Sequence, residues 1–185
     1  LRPNPRNPGK WTAELAARIT RDICNTYGDG AGISHIDGGN MPERDRVIEM
    51  LEKIIEVLFP GYTGRRPVTH AAIEFTIGDL VNEVVQGLGE QVRRAYAYRC
   101  TQGCCEGCDC VVQAQDVLVG LLERLPAIRA TLKTDVNAAL DGDPATDSVD
   151  EIIIAYPGLR AITVQRIAHE LYLDREPLIP RVMSE

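Results

Sequence analysis

From Ile73 to Val92 aliphatic residues recur mostly every three or four positions: Ile73, Ile77, Leu80, Val81, Val84, Leu88 and Val92. That spacing gathers them on one face of a helix with 3.6 residues per turn, whereas a strand, with period two, would scatter them over both faces. Leu15, Ile19 and Ile23, with Cys24 beside them, repeat the pattern earlier. So do Val47, Leu51, Ile54, Ile55 and Leu58, where Glu49, Glu52, Lys53 and Glu56 take the wet side. No segment alternates with period two over a useful length. The chain is therefore expected to be all-α, a multi-helix, bundle-like domain with short connections.

Punctuation residues suggest where the helices stop. Residues 1–10 hold three prolines and little to bury, and read as an extended arm. The first helix spans "WTAELAARITRDICNTY", and five glycines in "GDGAGISHIDGGN" break the pattern after it. Pro42 is expected in the first turn of the second helix, where its missing N–H is not needed. The third is expected from Thr69 to Tyr98. Gly78, Gly87 and Gly89 each cost it about 1 kcal/mol relative to alanine, so packing must override local preference. A helix ending at Leu125 is expected to restart at Pro126. Three shorter ones follow, over "SVDEIIIAY", "LRAITVQRIAHELYL" and "PLIPRVMSE".

Composition narrows the function. Of 185 residues 44% are hydrophobic but only 5% aromatic, so aliphatic side chains must fill the core. Twenty basic residues against 27 acidic ones give a net charge of −7, which argues against nucleic acid, whose phosphates need a clustered basic face. No apolar run approaches the roughly 20 residues that span a bilayer. A cytoplasmic protein that binds neither membrane nor nucleic acid is expected. The chain opens without methionine and stops just after an apolar run, and so reads as a piece of something longer.

Three constellations could carry chemistry. The first is "DGDPATDSVDEIIIAYPG", Asp141–Gly158, with five acidic side chains around Pro144. Asp143 could cap a helix, as aspartate often does. However, Ser148 and Glu151 already have the spacing of a capping box before the apolar run that starts at Ile152. Asp143 is then left in a turn between helices, able to accept from a cationic donor. The second is "CTQGCCEGCDC", which places Cys100, Cys104, Cys105, Cys108 and Cys110 in one loop, residues 100–110. Cys105 and Cys108 have the spacing of a metal knuckle, and zinc is one candidate; disulfides and reduced thiols are the others. The third pair, Arg166 and His169, shares a face of a helix that looks apolar on both sides. A structural role is expected, with each side chain paired to a buried acceptor. His35 and His70 are assigned no role.

The segment "DVNAALDGDPATDSVDEIIIAYPGLRAITVQRIAHELY", together with "PLIPRVMSE", "ISHIDG" at Ile33–Gly38 and "VLFPGY" at Val57–Tyr62, resembles the N-terminal helical domain of serine O-acetyltransferases of the long bacterial form. The resemblance implies an α-helical domain over residues 11–176, with residues 177–185 beginning a connection to a left-handed parallel β-helix of hexapeptide repeats. It implies acetyl transfer from acetyl-CoA to L-serine, the first step of cysteine biosynthesis. Asp143 matches the family's substrate-binding aspartate, and "RIAH" at Arg166–His169 matches a family motif. No catalytic residue, cofactor or acetyl-CoA site is implied within these residues, so the segment alone is expected to be inactive. A homo-oligomer is implied, with O-acetylserine sulfhydrylase as a partner reached through the C-terminus of the parent enzyme. The alternative reading is a non-enzymatic helical module, metal-binding or redox-sensing, centred on Cys100 to Cys110.

Overall fold

A computed structural model describes residues 11–29, 32–39, 41–64, 67–101, 103, 109–176 and 178–185. The expected arm, residues 1–10, lies outside them. Helices are the only regular elements among the described residues, and the chain forms two compact units that divide between Gly38 and Gly39.

The first unit holds α1 (Ala13–Asn25), followed by a 3₁₀ turn at Thr26–Asp29. Thr12 caps α1, its hydroxyl accepting the Leu15 N–H at 3.2 Å. Although the expected stripe forms, no residue of α1 is buried, and Ile23 stays 47% exposed.

In the second unit α2 (Arg44–Leu58), α3 (Ile73–Thr101), α4 (Cys110–Gly142), α5 (Val149–Ala155), α6 (Pro157–Leu173) and α7 (Leu178–Met183) share one core. Pro42 precedes the first turn of α2 instead of entering it. The chain is still extended at Glu43, whose N–H is held by buried Gln91 Oε1 at 2.7 Å. The third helix begins at Ile73, four residues later than expected, after a turn closed by the Ala72 N–H on Thr69 O at 3.0 Å. Of its glycines, Gly87 lies directly under Met50 of α2, and a Cβ there would overlap the Met50 sulfur.

The restart expected at Pro126 does not occur, and α4 runs unbroken through it. Proline removes one helical hydrogen bond and crowds the preceding turn. Here Leu121 and Leu125 before it, and Ile128 and Leu132 after it, are buried in the same core, which holds both turns on one axis. On α6, Leu159, Thr163, Ile167 and Leu171 recur every four residues and are buried, while Ile162 on another face is 41% exposed. Within this chain α6 is therefore packed on one side and not sandwiched.

The short helix expected over "PLIPRVMSE" forms as α7, which buries Ile179, Pro180 and Met183 against α6 and α2. Glu176, fully buried, prepares this helix: its carboxylate accepts the N–H groups of Leu178 at 3.1 Å and Ile179 at 2.7 Å. Burial pushes its pKa up, opposed by those two amides and by Arg99. The turn before it is a helix cap in which Arg175 takes the left-handed conformation (φ 63°) usually left to glycine.

On α3, Glu90 accepts from both Arg93 and Arg94 at 2.8 Å, which lowers its pKa to about 2. A carboxylate depressed in the folded state stabilises fully above its unfolded pKa and loses that contribution as pH falls through the folded one. The cluster is therefore expected to weaken between about pH 4.5 and 2, by less than the full shift because Glu90 is 39% exposed and screened. Acid titration of thermal stability should show a shallower slope over that window in Glu90→Gln. An unchanged slope would remove the cluster from the acid response.

Candidate functional site

The acidic turn lies where α4 ends and α5 begins. Asp143 terminates α4, its N–H bonded to Ala139 O at 3.1 Å while its own backbone is already extended. As the capping-box spacing indicated, Ser148 caps α5: its hydroxyl accepts from the Asp150 N–H at 3.2 Å and the Glu151 N–H at 3.4 Å. The return half of the box is relayed. Buried Thr146 donates its hydroxyl to Glu151 Oε2 at 2.9 Å and accepts the Ser148 N–H at 3.4 Å, standing between the groups that would otherwise meet. Asp143 is thus not required as the cap of α5.

The half-buried carboxylate of Asp143 is nevertheless not idle. Oδ1 accepts the Ala145 N–H at 2.9 Å, which shapes the turn through Pro144, and Oδ2 accepts the Tyr156 hydroxyl at 2.5 Å. Tyr156 occupies the joint between α5 and α6, where Pro157 opens the new helix. The turn and the joint thus meet on one carboxylate. The tyrosine hydroxyl first, then the backbone amide, hold Asp143 below the usual carboxylate range, while the same bond raises Tyr156. A carboxylate has about four acceptor positions and these bonds use two, so capacity remains for a cationic donor. Sequence reasoning missed Tyr156, since nothing in its spacing from Asp143 marks the contact.

Arg166 reaches across to α4 and forks onto Asp135, Nε to Oδ2 and Nη2 to Oδ1, both at 2.9 Å. The pair is part-buried and ties α6 to α4 about two helical turns before Asp143. His169 does not share in this. It is exposed and is not paired to a buried acceptor as expected, because the three-residue step from Arg166 carries it past the packed stripe to the solvent side. His70 is exposed as well.

In the cysteine-rich loop, Cys104, Cys105 and Cys108 lie outside the described residues. Cys100, in the last turn of α3, and Cys110, first residue of α4, bring their sulfurs to 3.0 Å. Among the described residues no group of three or more His, Cys, Asp or Glu is placed to hold a metal ion such as zinc. Nor is any helix among them long and apolar enough to cross a membrane.

No family model matches the chain. A serine acetyltransferase of Synechococcus elongatus, plasmid-encoded by its description, is 35% identical over 148 residues, 78% of this chain and 46% of that protein. A serine acetyltransferase of Bacillus licheniformis is 46% identical over 54 residues, 29% of this chain and 25% of that protein. The chain thus spans about half or less of the length of the curated relatives it matches. Among solved structures, Entamoeba histolytica serine acetyltransferase 1 in complex with L-cysteine is 27% identical with a TM-score of 0.55, covering 92% of this chain and 57% of that one. Serine acetyltransferase isoform 3 of the same organism, in complex with cysteine, shares the fold at a TM-score of 0.58 and 23% identity, covering 93% and 55%. The alternative reading as a metal or redox module finds no support in these relatives. By sequence over most of its length, and by an all-helical fold that aligns with about half of the solved enzymes, this chain is a relative of the serine acetyltransferases and corresponds to their helical part.

Proposed function

We propose that the chain is the helical part of an acyltransferase that moves an acetyl group from acetyl-CoA to the hydroxyl of L-serine, the first step of cysteine biosynthesis. The sequence similarity supports the reaction class, and one observation carries the substrate role: the carboxylate of Asp143, kept ionised and aimed by Ala145 and Tyr156 with acceptor capacity left over. A serine zwitterion entering a water-poor site must have its ammonium paired. A carboxylate held from two sides meets it without reorganising and orients the hydroxyl that attacks. In this reading Tyr156 is a positioning residue. Arg166 and His169 are structural, Arg166 holding α6 through Asp135 and His169 facing the neighbouring domain. The acetyl-CoA site and the base that accepts the serine proton are assigned to the β-helical part of the parent enzyme, so these residues alone should not transfer acetyl groups. We assign the parent enzyme to the cytoplasm as a homo-oligomer, with O-acetylserine sulfhydrylase as a partner reached through its C-terminus.

The test is steady-state kinetics on the full-length enzyme. Asp143→Asn keeps the shape and removes the charge, and should raise the serine KM by roughly 10–100-fold, the range for losing a charge-assisted hydrogen bond. The acetyl-CoA KM should hardly move. Tyr156→Phe should produce a smaller rise in the same constant. Equal losses for both substrates would remove Asp143 from the serine site.

A further inference from the structure

We infer that Cys100 and Cys110 form a dithiol site that reacts with a low-molecular-weight disulfide of the glutathione class and closes into an intramolecular disulfide joining α3 to α4. Their sulfurs stand 3.0 Å apart, about 1 Å beyond a formed disulfide bond. This proximity is not the chance meeting of two loop residues. Cys100 ends α3 and Cys110 opens α4, and a turn or so inward Ala95 and Tyr96 on one helix and Ala114 and Val117 on the other are buried in the same core. Asp109 fixes the start of α4 by accepting the N–H groups of Val111 at 3.1 Å and Val112 at 3.2 Å, so the backbone bearing Cys110 is held.

The chemistry balances without a metal. The thiolate of one cysteine attacks a sulfur of the small disulfide, expelling one small thiolate and leaving a mixed disulfide. The second cysteine, already within reach, attacks the protein sulfur of that mixed disulfide and expels the other. Two protein thiols are oxidised, one small disulfide is reduced to two thiols, and the two protons released from the cysteines end on the departing thiolates. The product closes residues 100–110 into a loop and restricts the unfolded chain, which should raise the melting temperature by roughly 5–10 °C.

The chain has six cysteines, so the pair must be isolated. In a variant carrying Cys24→Ser, Cys104→Ser, Cys105→Ser and Cys108→Ser, only Cys100 and Cys110 remain. Treatment with oxidised glutathione should remove two hydrogens from the intact mass, leave no bound glutathione, and raise the melting temperature, with all three changes reversed by reductant. Circular dichroism of the reduced variant against the reduced parent chain checks that it is folded. Adding Cys110→Ser should convert the product into a lasting glutathione adduct on Cys100. A folded variant that keeps both thiols, or that accumulates glutathione adducts while Cys110 is present, overturns the pairing. So does oxidation that stabilises the parent chain but not the variant, which would place the bond among the other cysteines.

Discussion

Leu132→Ala is expected to destabilise the second unit by about 2–5 kcal/mol, lowering its melting temperature by roughly 5–15 °C. Leu132 is fully buried in α4, where it follows Pro126 in the run of buried residues that continues to Val136. Removing its side chain loses the transfer energy of the deleted carbons and leaves a cavity among side chains that several helices hold in place. The upper part of the range is expected because α4 meets α3, α5 and α6 in one core, and collapse toward any one of them opens space at another. Thermal melts followed by circular dichroism give the value. A loss below about 1 kcal/mol would mean that the two halves of α4 are not braced across Pro126 by this core.

The second large effect is a pair of opposite signs on one helix. Glycine is poorer than alanine in a helix interior, so Gly78→Ala, at an exposed site where nothing lies within 4 Å of the added carbon, should stabilise by up to about 1 kcal/mol. Gly87→Ala gains the same local preference but drives its methyl into Met50, which is 1% exposed on α2. Overpacking of a tight core costs about 1–3 kcal/mol, enough to reverse the sign. Coupling to Met50→Ala is the check: the double variant should recover much of what Gly87→Ala loses, since the shorter side chain vacates the space. Stabilisation by Gly87→Ala alone would show that Met50 moves aside freely and that close approach of α2 and α3 does not need the glycine.

Those two glycines mark a limit of sequence reading. Both look equally out of place in a helical stripe, and local propensity assigns them the same cost. Only the approach of α2 gives Gly87 a purpose. Pro126 is the reverse case: the rule that proline interrupts a helix is sound, yet buried leucines on both sides outweigh one lost hydrogen bond. In the candidate site the cap at Ser148 and the turn at Asp143 were legible, because both depend on neighbours within a few residues. The Tyr156–Asp143 contact and the Arg166–Asp135 fork were not, since each joins groups thirteen or more positions apart.

What the sequence determined by itself is whatever repeats or closes over short range: the helical period, the all-α class, the Ser148 cap and the family likeness carried by contiguous motifs. Tertiary structure alone decided that the stripe of α1 stays exposed and that α6 is buried on one side only, that α4 is one helix, that α7 belongs to the core, and which partners hold the Asp143 carboxylate. Burial and long-range pairing depend on the summed packing of several elements, and no local window of residues contains that sum.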